Sequence, residues 1–225
     1  EKLSALGRMA AGIAHEINNP LAGILLFSSN LSKKVPPEGP LREGLDVIVR
    51  ETVRCKSIIQ ELLEFSRDRK PQMVLTDVNE VIEKAVSILD NEFRLKHLKL
   101  EKILSPQMEK ICLDGNQMEQ VFVNILINAV QATPENGIIT VRSAWLPNPR
   151  VVRIHIADTG CGISAENLPK VFEPFFSTKE KGTGLGLAVS YGIVKGHGGT
   201  IRVSSVEGKG TEFTIDLPSR GQSEK

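Results

Sequence analysis

The sequence predicts a two-part chain, in which an all-α helical hairpin precedes an α+β domain. Apolar residues follow a heptad pattern over residues 3–33, and a similar pattern resumes after the proline-rich break VPPEGP at 35–40. Later in the chain the residue pattern changes to short segments rich in β-branched residues, separated by glycines and prolines. The predicted boundaries are 1–67 for the hairpin, 68–76 for a polar linker, 77–218 for the second domain and 219–225 for a tail.

Each predicted helix of the hairpin carries two apolar series. The first helix combines Leu3, Ala10, Ile17, Ile24 and Leu31 with Leu6, Ile13, Pro20 and Phe27. The second combines Leu41, Ile48, Cys55 and Leu62 with Leu45, Thr52, Ile59 and Ser66. Because two helices alone bury too little apolar surface, we expect two hairpins to pair into a dimeric four-helix bundle.

The second domain mixes helices and strands without strict alternation. Asp77 and Glu80 form the pattern of a capping box, which predicts a helix that continues to about Arg94. A strand is predicted over 98–104 and an amphipathic helix over 116–132. Four further strand segments follow, namely IITVRSAW, VVRIHIAD, TIRVSSV and TEFTIDLP. This order favours an α+β layer with a mixed sheet over a doubly wound fold.

The composition argues against several classes of partner and site, and it indicates the cellular compartment. The formal net charge of +1 does not indicate a nucleic-acid partner, and no apolar run reaches the roughly 18 residues of a membrane-spanning helix. Cys55, Cys112 and Cys161 are odd in number and far apart, which argues against a disulfide framework or zinc site and favours a reducing, cytoplasmic compartment. The sequence starts without Met and already follows the apolar pattern of a helix, so we expect it to be a segment of a longer protein. Any membrane attachment would then be through a region upstream of Glu1.

His15, in the stretch GIAHEINNPL, is the first candidate for chemistry. With Leu3 at heptad position a, His15 falls at the outermost position f, and Asn19 lies one turn further on the same face. A solvated surface histidine, a metal ligand and a reacting histidine are all compatible with this placement. Glu16 is placed to stabilise an imidazolium, as a reacting histidine would require.

Two glycine-rich segments form a second candidate. IADTGCGI (156–163) places Asp158 at the end of an apolar strand, and KGTGLGLAVS (181–190) precedes a helical run. Glycines allow a backbone to approach phosphates, and a helix start offers free N–H groups, although glycines also serve simple loop flexibility. The Walker pattern is excluded because no Lys-Ser/Thr pair follows, and the Rossmann pattern because no βαβ unit precedes the glycines.

Asn124 and Asn128 lie four residues apart among Ile, Leu and Val. Because a buried amide is costly unless its hydrogen bonds are used, each needs a partner. Hydrogen bonding between the helix and a strand is one explanation. The other is a side-chain oxygen on a hard cation that carries phosphates, which suits Mg²⁺.

Six motifs then occur in one order across nearly the whole chain: GIAHEINNPL, NILINA, DTGCG, VFEPFFSTK, GTGLG and GKGTEF. In this combination the chain resembles the cytoplasmic core of bacterial two-component sensor histidine kinases, in the nitrogen-regulation-like branch with the HExxNP pattern. The resemblance implies a dimerisation and histidine-phosphotransfer hairpin. It also implies a catalytic ATP-binding α/β sandwich of the gyrase, chaperone and histidine kinase type.

The resemblance also implies residue roles. His15 would accept the phosphate, Glu16 would be its acid/base partner, and Asn19 would position water for dephosphorylation of the partner regulator. Asn128 would bind Mg²⁺, with Asn124 as its helper. Asp158 would accept the adenine amino group. The other expected nucleotide-binding residues are Gly160 and Gly162, then Phe175, Lys179, Gly182, Thr183, Gly184, Leu185 and Gly186 in a lid, and Thr211 in the last glycine box.

The expected activity is ATP-dependent autophosphorylation of His15 in a homodimer, followed by phosphotransfer to an aspartate of a response regulator and accompanied by phosphatase activity toward it. ATP and Mg²⁺ are the expected cofactors. A hydrolase of the gyrase or chaperone type is disfavoured, because the residue one turn before the expected Mg²⁺ ligand is Asn124, and an amide cannot act as general base. A non-catalytic scaffold that only binds nucleotide remains an alternative.

Overall fold

The structure is a computed structural model that describes residues 2–66, 71–179 and 182–219; within the helices, the side chains of 2–16, 60–62 and 64–66 are also outside the description. The chain divides into two compact units, Glu1–Arg69 and Lys70–Lys225. No helix among the described residues combines the length and the apolar character needed to cross a membrane.

The first unit is the predicted helical hairpin. Helix α1 spans Lys2–Ser32 and helix α2 spans Pro40–Ser66. Pro40 opens α2, where the missing N–H costs nothing and the fixed φ suits the first turn. The Ser32 hydroxyl donates to Asp46 Oδ1 at 2.8 Å, and Arg42 Nη1 donates to the Ser32 carbonyl at 2.7 Å, so polar groups fasten the end of α1 to α2.

The two apolar series of α2 have different surroundings. Leu45, Thr52 and Ile59, at seven-residue spacing, are buried within the hairpin. In the other series, Leu41 is 65% exposed and Ile48 is 45% exposed. Among the described side chains of α1, the exposed large apolar residues are Ile17, Ile24, Leu26, Phe27 and Leu31. One apolar stripe therefore closes the hairpin, and a second is left for the predicted bundle partner.

The second unit is the predicted α+β domain. Its helices are α3 (Val78–Ile88), α4 (Asp90–Leu95), α5 (Gly115–Ala132) and α6 (Gly186–Gly196). Its strands are β1 (Val74–Thr76), β2 (Lys99–Leu104), β3 (Ile111–Leu113), β4 (Ile138–Pro147), β5 (Arg150–Asp158), β6 (Thr200–Val206) and β7 (Gly210–Pro218).

A five-stranded sheet in the order β2-β4-β5-β7-β6 organises this unit. The β2–β4 pair is parallel and the other neighbours are antiparallel, so the prediction of a mixed sheet is confirmed. The core joins the buried faces of α3 and α5 to one face of the sheet; its fully buried side chains include Ile82, Phe122, Ile125, Ile154 and Ile215. Alternate residues of β5 and β7 are buried, as expected for strands with one face on a core.

The predicted helix from Asp77 to about Arg94 is wrong in its length. Asp77 caps α3 by accepting from the Asn79 N–H at 2.8 Å, but α3 ends at Ile88. Leu89 leaves helical geometry at φ −103° and ψ 10°, and its N–H tightens onto the Val86 carbonyl. Helix α4 then starts with acidic residues in its first turn, which the dipole of a helix start favours.

The last part of the predicted 68–76 linker is structured. Val74–Thr76 forms β1, which pairs antiparallel with β3 (Ile111–Leu113) because each strand supplies the other's backbone partners. Residues 67–70 lie outside the described residues. In the predicted 219–225 tail, the Ser219 N–H donates to the Arg150 carbonyl at 3.0 Å, which continues the β5–β7 ladder by one bond; 220–225 lie outside the described residues.

Candidate functional site

Asp158 stands at the end of β5, directly opposite Thr211 of β7. Its side chain is buried, and Oδ1 accepts the N–H groups of Gly160 at 2.8 Å and Thr211 at 3.3 Å. Burial raises the pKa of the Asp158 carboxyl above its ordinary value, and these two hydrogen bonds only partly oppose the shift. Both described bonds end on Oδ1, so Oδ2 keeps its acceptor capacity for another group.

The backbone around Asp158 is packed too closely for side chains. Gly210 has φ +105°, and a Cβ there would collide with the Asp158 carbonyl oxygen. A Cβ at Gly160 would lie 2.6 Å from the carbonyl oxygen of Ala132, at the end of α5. The turn after β6 also meets this loop, since the Gly208 N–H donates to the Cys161 carbonyl at 2.7 Å. The predicted residues Gly160 and Thr211 therefore contact Asp158, and Gly162 lies against the end of β6, where a Cβ would collide with the Val206 carbonyl.

Helix α5 presents the two predicted asparagines, and its start is fixed by Asp114. The Asp114 carboxylate accepts from Asn116 and Gln117 at 3.1 Å each, and from Gln72 at 3.0 Å. Burial acts to raise the pKa of Asp114, but these three N–H groups outweigh it and the pKa is lowered. The Asp114 N–H in turn donates to Nε2 of the buried His197 at 2.9 Å.

Asn124 joins α5 to α6. Its Nδ2 donates to the Gly186 carbonyl at 3.2 Å and to the Ser190 hydroxyl at 3.4 Å. The sequence suggested a strand as the structural partner of such an amide, whereas the partner is the first turn of a helix. A Cβ at Gly186 would be in ordinary contact with the Asn124 side chain at 3.7 Å, so the α5–α6 spacing is close here. Asn124 therefore sets the position of the helix that begins with the predicted glycine motif.

Lys179 and Asn128 meet although 51 residues separate them in the chain. Lys179 Nζ lies 2.6 Å from Asn128 Oδ1 and 2.5 Å from Gln131 Oε1. The Lys179 side chain as a whole is exposed, but protein atoms crowd its ammonium group. This desolvation lowers the pKa of Lys179, and the charge that Cys161 can carry opposes the shift.

The predicted lid residues form a connected loop on the N-terminal side of α6. The Phe175 N–H donates to the Gly184 carbonyl at 3.0 Å, and the Phe175 ring is 58% exposed. Gly184 has φ +70°, and a Cβ there would run into the Phe175 backbone. The Gly182 N–H donates to the Lys179 carbonyl at 3.1 Å. Residues 180 and 181 lie outside the described residues.

The segment that enters α6 is anchored by Leu185. The Leu185 side chain is 1% exposed, and its N–H donates to the Thr183 hydroxyl at 3.3 Å. Gly186 is the first residue of α6. The predicted lid residues thus run from an exposed ring to a buried leucine, with Lys179 directed to α5 between them.

Two of the three predicted catalytic residues cannot be placed at the level of side chains. His15 and Glu16 belong to α1, but their side chains lie outside the described residues. Asn19 is exposed on α1, as the heptad count predicts.

Sequence reasoning missed Gln131 and Ser190. Gln131 is exposed, whereas Ser190 is fully buried and donates to the Gly186 carbonyl at 2.9 Å. The spacing of Gln131, three residues after Asn128 and hence on the same helix face, was the available signal. Among the described residues, no cluster of three or more His, Cys, Asp or Glu side chains could hold a metal ion.

Comparison with protein families identifies both units. Residues 5–71 match the His Kinase A (phospho-acceptor) domain, and residues 113–221 match the histidine kinase-, DNA gyrase B- and HSP90-like ATPase domain. The two domains occur in the order that the six motifs predicted. The chain belongs to the sensor histidine kinase family.

Individual relatives agree with this assignment. The sensor histidine kinase ZraS of Klebsiella oxytoca is 40% identical over 222 residues, which are 99% of this chain and 48% of ZraS. The chain thus spans about half the length of this curated relative.

Solved histidine kinases share the fold. The histidine kinase ThkA in complex with the response regulator protein TrrA is 29% identical, with a TM-score of 0.72 over 98% of this chain and 64% of ThkA. The catalytic domain of ThkA alone is 30% identical, with a TM-score of 0.60 over 66% of this chain and 96% of that domain. Full-length ShkA in complex with AMPPNP, 23% identical, supports the fold with a TM-score of 0.80 over 94% of this chain and 45% of ShkA.

Proposed function

We propose that this chain is the kinase core of a two-component sensor, which transfers the γ-phosphoryl group of ATP to His15 and then to an aspartate of a response regulator. The observation that carries the proposal is the union, in one chain, of a phospho-acceptor hairpin and an ATPase-type domain whose buried Asp158 retains a carboxylate oxygen for a ligand. Neither unit alone supplies both the phosphate donor and its acceptor.

Asp158 supports adenine recognition. An adenine presents an exocyclic N–H that a carboxylate oxygen can accept, and Gly160 and Thr211 hold Oδ1 so that Oδ2 is oriented. Gly162 keeps the neighbouring backbone close, because a Cβ there would collide with the Val206 carbonyl. The phosphates would extend toward Lys179 and the start of α6, where cationic and N–H groups favour negative charge.

Asn128 fits Mg²⁺ on one observation of this structure. Its Oδ1 already binds a cation, the Lys179 ammonium, at 2.6 Å. Mg²⁺ is commonly held by one or two protein oxygens together with substrate phosphates. When bound there, the ion would neutralise charge on the transferring phosphate. Asn124 would act as the helper by holding the first turn of α6, to which its Nδ2 donates.

The acceptor half of the reaction belongs to α1. A ring nitrogen of His15 attacks the γ-phosphorus, the P–N bond forms, the bond to the bridging oxygen breaks and ADP leaves. Glu16 would take the proton that the imidazole gives up, and Asn19 would position water for the phosphatase reaction toward the regulator. The HEINNP sequence at 15–20 supports the HExxNP branch.

The proposed partners are a second copy of this chain and a receiver domain. The exposed stripe that includes Ile24, Phe27 and Ile48 supplies the apolar face that a four-helix bundle needs. ThkA was solved with its response regulator protein, and the same class of partner is proposed here. The three free thiols fit a reducing, cytoplasmic location.

Incubation with γ-labelled MgATP tests the proposal. Label should appear on the protein, stable in base and lost in acid. The substitution His15→Gln should abolish labelling and leave ATP binding intact, whereas Asp158→Ala should abolish binding. Asn19→Ala should retain labelling and slow dephosphorylation of the cognate regulator.

Two other results would each replace the proposal. Release of free phosphate without labelled protein would show a hydrolase of the gyrase type. ATP binding with neither signal would show a scaffold that only binds nucleotide.

A further inference from the structure

Two side-chain amides of α5 converge on one ammonium group. Asn128 and Gln131 are three residues apart and thus share a helix face. Their oxygens lie 2.6 Å and 2.5 Å from Lys179 Nζ. We call these two oxygens the amide cation site. Gln131 has no role in the proposed function above, so its contact needs its own explanation.

In the amide cation site, the dipoles of two neutral amides face a charged ammonium group. Among the described residues, no ion pair joins Lys179 to a carboxylate, although exposed lysines elsewhere in the domain have such partners, as Lys102 does in Glu83. Neutral oxygens that converge on a cation are the kind of ligand that hard ions such as Mg²⁺ also accept. The site therefore selects for positive charge without specifying an ammonium group.

We propose that Gln131 positions Lys179 against Asn128 Oδ1 in the nucleotide-free protein, so that Lys179 competes with Mg²⁺ for this oxygen and must leave it when MgATP or MgADP binds. The inference rests on the proposed function, because there Asn128 is the Mg²⁺ ligand. It adds a positioning residue, Gln131, and a competing internal cation, Lys179.

The competition follows from the geometry. Mg²⁺ would need to approach the Asn128 oxygen to about 2.0–2.1 Å, while Lys179 Nζ already lies 2.6 Å from the same atom. Two cations on one oxygen would be within a few ångströms of each other and would repel strongly. Gln131 sets how firmly Lys179 is held, since it supplies the second of the two acceptors.

The test is a Mg²⁺ titration of the complete 225-residue chain with a fluorescent ADP derivative, followed by anisotropy. ADP is used because it lacks the γ-phosphate, which Lys179 could otherwise contact. Each variant is compared at a nucleotide concentration scaled to its own affinity in EDTA. The measured quantity is the Mg²⁺ concentration at half-maximal binding.

Removal of the competitor should lower this midpoint. Lys179→Met should lower it by about tenfold, which is the net value of one charged hydrogen bond. Gln131→Leu should lower it by a smaller factor, and the double variant should match Lys179→Met. Lys179→Arg, which keeps the charge, should stay near the wild type. Lys170→Met is the matched control, because Lys170 pairs with Glu166 outside the site.

The possible results distinguish failure of the proposed competition from failure of the proposed function. If Lys179→Met has the midpoint of the wild type and of the control, the competition does not exist. If Gln131→Leu raises the midpoint, Gln131 is a ligand on the side of the metal and its assigned role is wrong. If the wild type binds no adenine nucleotide at any Mg²⁺ concentration, the proposed function itself fails.

Discussion

Replacement of Asp114 by Ala should destabilise the second unit more than the loss of an ordinary helix cap does. The substitution removes two cap hydrogen bonds to α5 and a third to the Gln72 N–H. Loss of an Asp cap costs about 1 kcal/mol, and loss of the hydrogen bond from the Gln72 N–H to a charged acceptor costs roughly 1–2 kcal/mol more. The expected loss is therefore about 2–3 kcal/mol in the free energy of unfolding.

Asp77 offers a matched control in the same domain. It also caps a helix with a carboxylate, but it accepts only the Asn79 N–H. Asp77→Ala should therefore cost only about 1 kcal/mol. Urea unfolding followed by fluorescence measures both variants, because Trp145 is the sole tryptophan and lies in β4. Its signal reports the second unit without the hairpin.

The pH dependence gives the sharper check on Asp114. Because the folded-state pKa of Asp114 is lowered, its stabilisation is present above the unfolded pKa of about 3.9 and is lost as the pH falls through the folded value. The difference between wild type and Asp114→Ala should thus shrink in acid. Equal losses for the two cap variants at neutral pH, or a difference that persists in acid, would refute the reasoning.

Two further predictions concern charged side chains in the same unit. Asp158→Asn should raise the urea midpoint of the nucleotide-free protein, because burial raises the pKa of Asp158 and the ionised carboxylate is therefore held at a cost, yet it should abolish adenine nucleotide binding; a lowered midpoint would contradict this. Arg153→Met should cost about 1–2 kcal/mol in the free energy of unfolding, since Arg153 binds Asp216 through two nitrogens at 2.6 and 2.9 Å. Arg202→Met removes only one bond to Asp216, from a more exposed side chain, and should cost less than about 0.5 kcal/mol. Equal losses in urea unfolding would contradict the difference.

Periodic features were predictable from the sequence because the period reports burial directly. The heptads located α1 and α2, β-branched runs located four strands of the large sheet, and the alternation of residues 98–104 located the fifth. Three-residue strands such as β1 and β3 are too short to show a period. The break at Leu89 was equally invisible, since no glycine or proline marks it and both flanking segments are helical.

In the candidate site, too, some residues could be predicted from the sequence and others could not. Asp158 and Asn128 stood out because polar groups beside apolar runs need partners. The role of Gln131 could not be predicted, because it depends on Lys179, which is 48 residues away and reaches it only through the tertiary fold. Likewise, the sequence could not show that the Asn124 amide would bind Gly186 and Ser190 of α6.

The sheet order has a consequence for how the protein is made. Strand β7 follows β6 in the chain but lies between β5 and β6 in the sheet. A nascent chain that has emerged only through β6 therefore has two strands with no ladder between them, and Asp158 lacks the N–H of Thr211. Synthesis runs from the N-terminus, so the hairpin can form first. The proposed adenine site at Asp158 is complete only after Gly210–Pro218 has been made, so the proposal ties ATP binding to nearly complete translation of this domain.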